Sequence, residues 1–297
     1  MKLVPNPNAP QGRLVLLAPP KARIPASFAA VQTSVHDHEH LLLGAQRLRA
    51  RVYVEDGAIH PSQVSRDGRH VHPGDEDAWH LLSLNAYGEV CGCSRYIAHS
   101  NRVHFSRLGV RNAALARTEW SLALRSAVEA EVAQARGRGL AYVEVGGWAL
   151  DASMRRTAEA VRIALATYSL ARILGGCIGI TTATRRHCSS AILRKIGGRP
   201  LRIKQVELPP YYDPQYDCEM ELLRFDSEEP NPRFEPWIED LRSHLTGAIV
   251  VRSNTQPEVQ SEEPPTIRAH AMHRDLQNQA WKREAWRFGR DLAHAVQ

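Results

Sequence analysis

The sequence has few cysteines and lacks any long apolar run. Its five cysteines, at positions 91, 93, 177, 188 and 218, are an odd number in 297 residues, which excludes the disulfide framework of a small secreted domain. Cys91-Gly-Cys93 has no second cysteine pair at zinc-like spacing, so we interpret both as reduced strand residues and predict no metal site. No run approaches the roughly 20 apolar residues of a membrane span, and the first residues lack the apolar stretch of a signal peptide. We therefore expect a cytoplasmic protein.

Signatures of nucleic-acid binding are also missing. The sequence contains no helix-turn-helix, zinc-finger or aromatic RNA-binding motif, so we expect no nucleic-acid partner. The formal net charge of +6 suits a ligand with phosphate or acidic groups, such as coenzyme A or an acidic carrier protein, but the charge alone does not choose among such partners.

Apolar periodicity predicts mixed secondary structure between residues 37 and 225. Helices are predicted at 38–53, with Asp37 as the N-cap, and at 113–136, 154–174 and 188–196. Strands are predicted at 80–85, 89–98, 141–150, 177–183, 201–208 and 218–225. This order predicts an α/β (α+β mixed) fold, with a central mixed twisted sheet and helices on both faces.

Changes in composition divide the chain into three segments. We predict an N-terminal extension at 1–36, one domain at 37–225, and a linker with a basic amphipathic tail at 226–297. Trp281 and Phe288 alternate with cations in that tail. A basic amphipathic helix can lie on a membrane surface or bind a partner, which would place the protein at the periphery of the inner membrane. The alternative is a tail that docks on its own domain or frays in solvent.

The stretch Tyr142-Val-Glu-Val-Gly-Gly-Trp-Ala-Leu-Asp151 is the most informative part of the chain. Gly146 and Gly147 allow the predicted strand to bulge and another backbone or a ligand to approach closely. The following helix start, with Arg155 and Arg156, offers free N–H groups and positive potential to an anion. A phosphopantetheine thioester needs both features, because its amides bind backbone groups and its phosphate binds a helix start.

The motifs of this region resemble the GNAT superfamily, in particular the N-acyl amino acid synthases and the acyl-homoserine-lactone (autoinducer) synthases. Glu144-Val-Gly-Gly-Trp-Ala-Leu-Asp151 is similar to their Glu-x-x-Arg-aromatic/Leu-Ala-Val strand, with Gly147 where the lactone synthases have arginine. Similar motifs on other elements are Arg49-Ala-Arg-Val-Tyr53, Asp75-Glu-Asp77 and Gly92-Cys-Ser-Arg95.

The resemblance implies a GNAT-like fold with a splayed, bulged central strand. It also implies an N-acyltransferase that moves a long-chain acyl group from acyl carrier protein or acyl-CoA to the amine of an amino acid or similar small acceptor, with no permanently bound cofactor. Arg155, Arg156, Ala158 and Ala160 are similar to the superfamily's phosphate loop, with Ala158 in place of a glycine.

The backbone of Val145, Gly146, Gly147 and Trp148 would then hold the thioester. Tyr53 and His187 are expected to contact substrate, His187 from the region that closes the thioester site. The aromatic residue that the family usually has near position 191 or 192 is missing.

The charged residues leave their roles open. Glu144 is our candidate for the base or amine-positioning group, or else a strand carboxylate paired with Arg95. Asp75 and Asp77 would hold an acceptor amine or merely form a turn. Arg49 and Arg95 would clamp an acceptor carboxylate or pair with those acids.

Three further functions can be compared with acyl transfer. One is a non-catalytic GNAT-like module that binds an acyl carrier or lipid, and another is an acyl-homoserine-lactone synthase, which Gly147 disfavours. A thiol hydrolase using Cys188 and His187 is a poor alternative, because adjacent residues on a helix point in different directions.

Overall fold

A large mixed β-sheet forms the centre of the protein. The computed structural model describes residues 12–155 and 157–254, apart from the side chain of His187. Within these residues ten strands form one sheet, and β8 and β9 form a separate hairpin. The strands are β1 (Arg13–Ala18), β2 (Ala30–Thr33), β3 (Trp79–Leu84), β4 (Val90–His99), β5 (Ala141–Leu150), β6 (Cys177–Thr184), β7 (Arg199–Pro200), β8 (Arg202–Ile203), β9 (Val206–Glu207), β10 (Tyr211–Asp213), β11 (Cys218–Asp226) and β12 (Ile249–Arg252).

The strand order is β10-β11-β6-β5-β4-β3-β1-β12-β2, with β7 paired to β11. The pairs β5–β6, β1–β12 and β12–β2 are parallel, and the other pairs of the sheet are antiparallel. All six residues of β3 are buried, because helices cover both faces of the sheet. The predicted mixed sheet with helices on both faces is therefore confirmed.

The helices divide between the two faces. They are α1 (Val35–Glu55), α2 (Ser121–Gly137), α3 (Glu159–Ile173), α4 (Ser189–Ile196) and α5 (Glu235–Thr246). Apolar residues of α1 and α2 pack on one face of the sheet, and those of α3, α4 and α5 pack on the other. No helix in the described part of the chain is long and apolar enough to cross a membrane.

Three predicted helix starts were wrong for local reasons. Ser34, and not Asp37, is the N-cap of α1, and its side chain accepts from the Asp37 N–H. Helix α2 begins at Ser121 instead of 113, because residues 105–117 form three short 3-10 turns. Helix α3 begins at Glu159 instead of 154, since Asp151 caps a separate turn over Ala152–Met154 by accepting from the Ser153 N–H.

Strands from outside 37–225 extend the sheet. β1 lies between β3 and β12, so part of the proline-rich first segment is central to the fold. Periodicity missed β1 because a strand buried on both faces reads as a short apolar run without alternation. The division of the chain into extension, domain and tail remains a prediction, and the proposed tail helix lies outside the described residues.

Candidate active site

The two central parallel strands separate halfway along their length. β5 and β6 pair from Ala141–Cys177 to Val145–Thr181. Beyond that pair, β6 is hydrogen-bonded only to β11, and β5 is hydrogen-bonded only to β4. The backbone edges that face each other beyond Val145 are therefore open to a ligand, as the resemblance implied for a splayed central strand.

A bulge in β5 lies at the start of this opening. The pairing of β4 and β5 shifts between Cys93–Ala149 and Arg95–Gly146, and Gly147 has a φ of 63°. A Cβ at Gly147 would lie 3.0 Å from Nη1 of Arg49. Glycine is thus required twice here, for its left-handed backbone and for the close approach of a guanidinium group.

A cleft of about 2090 Å³ runs through the opening and reaches both faces of the sheet. On the α1 and α2 face its lining is polar and aromatic, and includes Arg49, Tyr53, Arg95, Glu144, Thr182, Tyr211 and Tyr216. On the α3 and α4 face its lining is mainly apolar, and includes Val145, Trp148, Val161, Ala164, Ile192, Leu193 and Phe225. We call these parts the polar half and the apolar half.

Two arginines share one buried carboxylate in the polar half. Arg49 donates to both oxygens of Asp75, at 2.9 Å to Oδ1 and 2.5 Å to Oδ2, and Arg95 donates to Oδ1 at 3.2 Å. Gln46 and the His72 N–H each donate to Oδ2 at 3.0 Å. Asp75 therefore has no capacity left for a substrate amine, and its position is set by protein donors.

This cluster carries an excess of positive charge. The side chains of Arg49 and Asp75 are each 2% exposed, and that of Arg95 is 10% exposed. Burial alone would raise the pKa of Asp75, but the hydrogen bonds and charge of Arg49 lower it far below its usual value. Burial and the nearby Arg49 lower the pKa of Arg95. Two guanidinium groups against one carboxylate leave one uncompensated charge beside the β5 bulge.

Glu144 is held by three donors. His99 Nε2 lies 3.0 Å from Oε2, and the N–H groups of Gly109 and Val110 donate at 2.9 Å and 2.8 Å. Burial tends to raise the pKa of Glu144, but these hydrogen bonds lower it below its usual value. The alternative of an ion pair with Arg95 was wrong, since Arg95 pairs with Asp75. The carboxylate thus fastens residues 109–110 to β5, while still lining the cleft.

The expected phosphate loop lies at the end of the cleft near α3. Arg155, Thr157 and Ala160 line the cleft, and Ala158 is the N-cap of α3. Arg155 is not in a helix, and its Nη1 lies 3.0 Å from Oδ1 of Asp56. An anion at this position would share Arg155 with that carboxylate. Arg156 lies outside the described residues.

The remaining candidate residues are spread around the cleft. Tyr53 lines it, and its hydroxyl donates to the Trp148 carbonyl at 3.3 Å. Asp77 is exposed at the rim and does not join the Asp75 cluster. His187 belongs to the turn Arg186–Cys188, and its side chain lies outside the described atoms.

Several neighbours of the site had no signal in the sequence. Gln46 and His99 belong to no motif of the sequence, and Gly109 and Val110 act through their backbone. Only the spacing of Gln46 and Arg49 on α1, three residues apart on one helix face, could have suggested a shared partner.

Comparisons with known proteins support the fold. No protein-family model and no curated protein sequence matches the chain. Among solved structures it is similar to BjaI, a CoA-dependent acyl-homoserine lactone synthase solved with SAM and isopentyl-CoA, at 14% identity and a TM-score of 0.50, over 82% of this chain and 95% of that chain. The structure of BjaI with MTA gives 15% identity and a TM-score of 0.50 over the same shares.

The fold is GNAT-like. The structural neighbours also include FeeM, an N-acyl amino acid synthase from uncultured soil microbes, at 15% identity, a TM-score of 0.43, and 73% and 93% of the two chains. The predicted likeness to acyl-homoserine lactone synthases is confirmed for the fold by the BjaI structures, and identities this low establish the fold alone.

Proposed function

We propose that this protein is an N-acyltransferase. It would move an acyl group from a phosphopantetheine thioester to the amine of a small acceptor that carries a carboxylate. The observation that carries the proposal is the cleft between β5 and β6, which is polar on one face of the sheet and apolar on the other. A reaction between an apolar acyl donor and a polar amine needs these two environments to meet at one point.

The donor would lie across Val145–Trp148 with its phosphate near 155–160. The unpaired edge of β5 supports this placement, because pantetheine amides can bind to free backbone groups. Ala158 and Thr157 leave room at the start of α3, where N–H groups favour an anion. Acyl-CoA and acyl carrier protein both carry the acyl group on a phosphopantetheine arm. BjaI is described as CoA-dependent, and we take acyl-CoA as the first donor to test.

The acyl chain would occupy the apolar half. Val161, Ala164, Ile192 and Leu193 line this part, and burying each methylene of the chain there is worth about 0.8 kcal/mol. Such a lining favours a long chain over an acetyl group.

The acceptor would bind in the polar half, with its carboxylate near Arg49 and Arg95. One uncompensated charge there suits one carboxylate. The amine nitrogen then attacks the thioester carbonyl carbon, the C–S bond breaks, the thiolate leaves, and the amine loses a proton. Glu144 remains our candidate for the base or the amine-positioning group, and its three donors favour positioning.

The test is a search for N-acyl products. Purified protein is incubated with acyl-CoA or acyl carrier protein of several chain lengths and with a mixture of amino acids, and in parallel with S-adenosylmethionine, before mass spectrometry. We expect N-acyl amino acids. Arg95→Ala should abolish them, whereas Arg242→Ala, on the exposed side of α5, should not. Thioester binding without any product would contradict the proposal and favour a non-catalytic module, and an acyl-homoserine lactone would favour a lactone synthase.

Peripheral membrane contact through the tail remains a separate proposal. It rests on the basic aromatic pattern near Trp281 and Phe288 alone.

A further inference from the structure

A run of exposed arginines borders the polar half of the cleft. Residues 102–117, which we call the arginine segment, carry Arg102, Arg107, Arg111 and Arg117, all exposed. No Asp or Glu occurs between Glu89 and Glu119, and within the described residues none of the four arginines forms an ion pair. Some exposed arginines elsewhere are paired, such as Arg125 with Glu129 and Arg202 with Glu207. The charge of the segment is therefore uncompensated.

The backbone of this segment is hydrogen-bonded to β5. The Gly109 and Val110 N–H groups donate to Glu144 of β5. Leu108 and Leu115 are each 1% exposed and pack in the core beneath α2. Of the four arginines, Arg107 lines the cleft, close to the backbone that is hydrogen-bonded to β5.

The interior of the same half has the same sign of charge. Asp75 neutralises only one of Arg49 and Arg95, and the Nε atoms of both arginines are buried without a hydrogen-bond partner. Two other carboxylates of the polar half accept hydrogen bonds from the protein, Glu144 from its three donors and Asp213 from the Gln215 N–H at 2.9 Å, while Asp77 is exposed at the rim. A ligand in the polar half therefore meets Arg107 at the rim and the Arg49–Arg95 pair at the bottom, in addition to these carboxylates.

We propose that the acceptor is an amino acid with a second acidic group. Its α-carboxylate would bind at Arg49 and Arg95, and its second acid, a carboxylate or a phosphate, would face Arg107, which lines the cleft. Arg111, on the following turn, would add to the positive potential there. This inference rests on the proposed acyl transfer. Positive charge at the entrance and at the bottom of a cleft concentrates anionic ligands and can raise their association rates by about 10- to 1000-fold. The same field disfavours a cationic acceptor such as S-adenosylmethionine.

Matched acceptor pairs test this selection. With a saturating acyl-CoA donor, kcat/KM is measured for glutamate against glutamine and for O-phosphoserine against serine, which separates carboxylate from phosphate recognition. We expect the acidic member of at least one pair to be preferred by about 10-fold or more, and the preference to shrink at 0.5 M salt because exposed charges are screened.

A charge-reversed variant locates the effect. Arg107→Glu with Arg111→Glu should remove most of the preference and raise the acceptor KM while changing kcat little. The matched control, Arg233→Glu with Arg242→Glu, makes the same change of net charge on exposed residues of the α5 region and should keep the preference. An unchanged preference in the first variant, or an equal rise in its KM for acyl-CoA, would overturn the inference.

Calorimetric titration without donor separates this inference from the proposed reaction. Tighter binding of glutamate than glutamine, lost in the Arg107 and Arg111 variant, supports the anionic acceptor site even if no product forms. Equally efficient acylation of the acidic and the neutral member of both pairs would confirm acyl transfer and refute selection by charge.

Discussion

Replacement of Glu144 by glutamine distinguishes a base from an anchor. The carboxylate accepts from His99, Gly109 and Val110, whereas glutamine offers one acceptor oxygen and turns an NH2 group toward the remaining donors. At least one backbone N–H then loses its acceptor. An unsatisfied buried donor costs about 1–3 kcal/mol, so the free energy of unfolding should fall by about that amount.

The kinetic expectation follows from the same contacts. If Glu144 fastens the arginine segment to β5, its loss moves the wall of the polar half, so the acceptor KM should rise while kcat falls by less than about 10-fold. If Glu144 removes the amine proton, kcat should fall by about 100-fold or more, and the acid limb of the pH–rate profile should disappear.

The assay combines urea denaturation with steady-state kinetics on the best acceptor. Glu129→Gln, at an exposed ion pair on α2, is the control and should change neither quantity measurably. A 100-fold loss of kcat with an unchanged free energy of unfolding would refute the anchoring argument and establish Glu144 as the base.

Two further predictions concern the surroundings of Arg49 and Asp75. Gly147→Ala and Gly88→Ala both place alanine at positive φ, but a Cβ contacts Arg49 only at position 147, and at Gly88 it would meet nothing within 4 Å. Only Gly147→Ala should therefore raise the acceptor KM in steady-state assays, and equal KM values would contradict this role of the contact. His80 is 2% exposed and donates to the Asp75 carbonyl, and burial lowers its pKa from 6.5 to about 4. As pH falls below about 6.5, His80 is therefore protonated in the unfolded chain but stays neutral in the native state. The free energy of unfolding should drop by about 2 kcal/mol more between pH 7 and pH 5 than in His80→Gln, as measured by urea titration. Equal drops would show that His80 is not the linked group.

Local patterns were sufficient for much of the fold. Strands β3, β4, β5, β6 and β11 and helices α1 and α4 were predicted within a few residues, because their apolar spacing and terminating glycines act over short distances. The extent of α2 was wrong, because Leu115 lies seven residues before Leu122 and so continues the helical spacing, although residues 114–117 form a 3-10 turn. One of the neighbouring turns, Gly109–Asn112, is held by hydrogen bonds to Glu144, which is distant in sequence.

The sequence by itself indicated that a glycine-broken strand is followed by a helix start, and it predicted, through the family resemblance, a common site for Arg49, Asp75, Arg95 and Glu144. These conclusions depend on residue types and on recurring motifs. Their partners were decided only by the tertiary structure. Asp75 is hydrogen-bonded to the two arginines, and Glu144 is hydrogen-bonded to His99. The sequence could not fix these pairs, because each contact spans 20 or more residues and depends on strand register. A register fixed by a bulge at Gly147, and by a first strand inserted beside β3, cannot be read from local spacing.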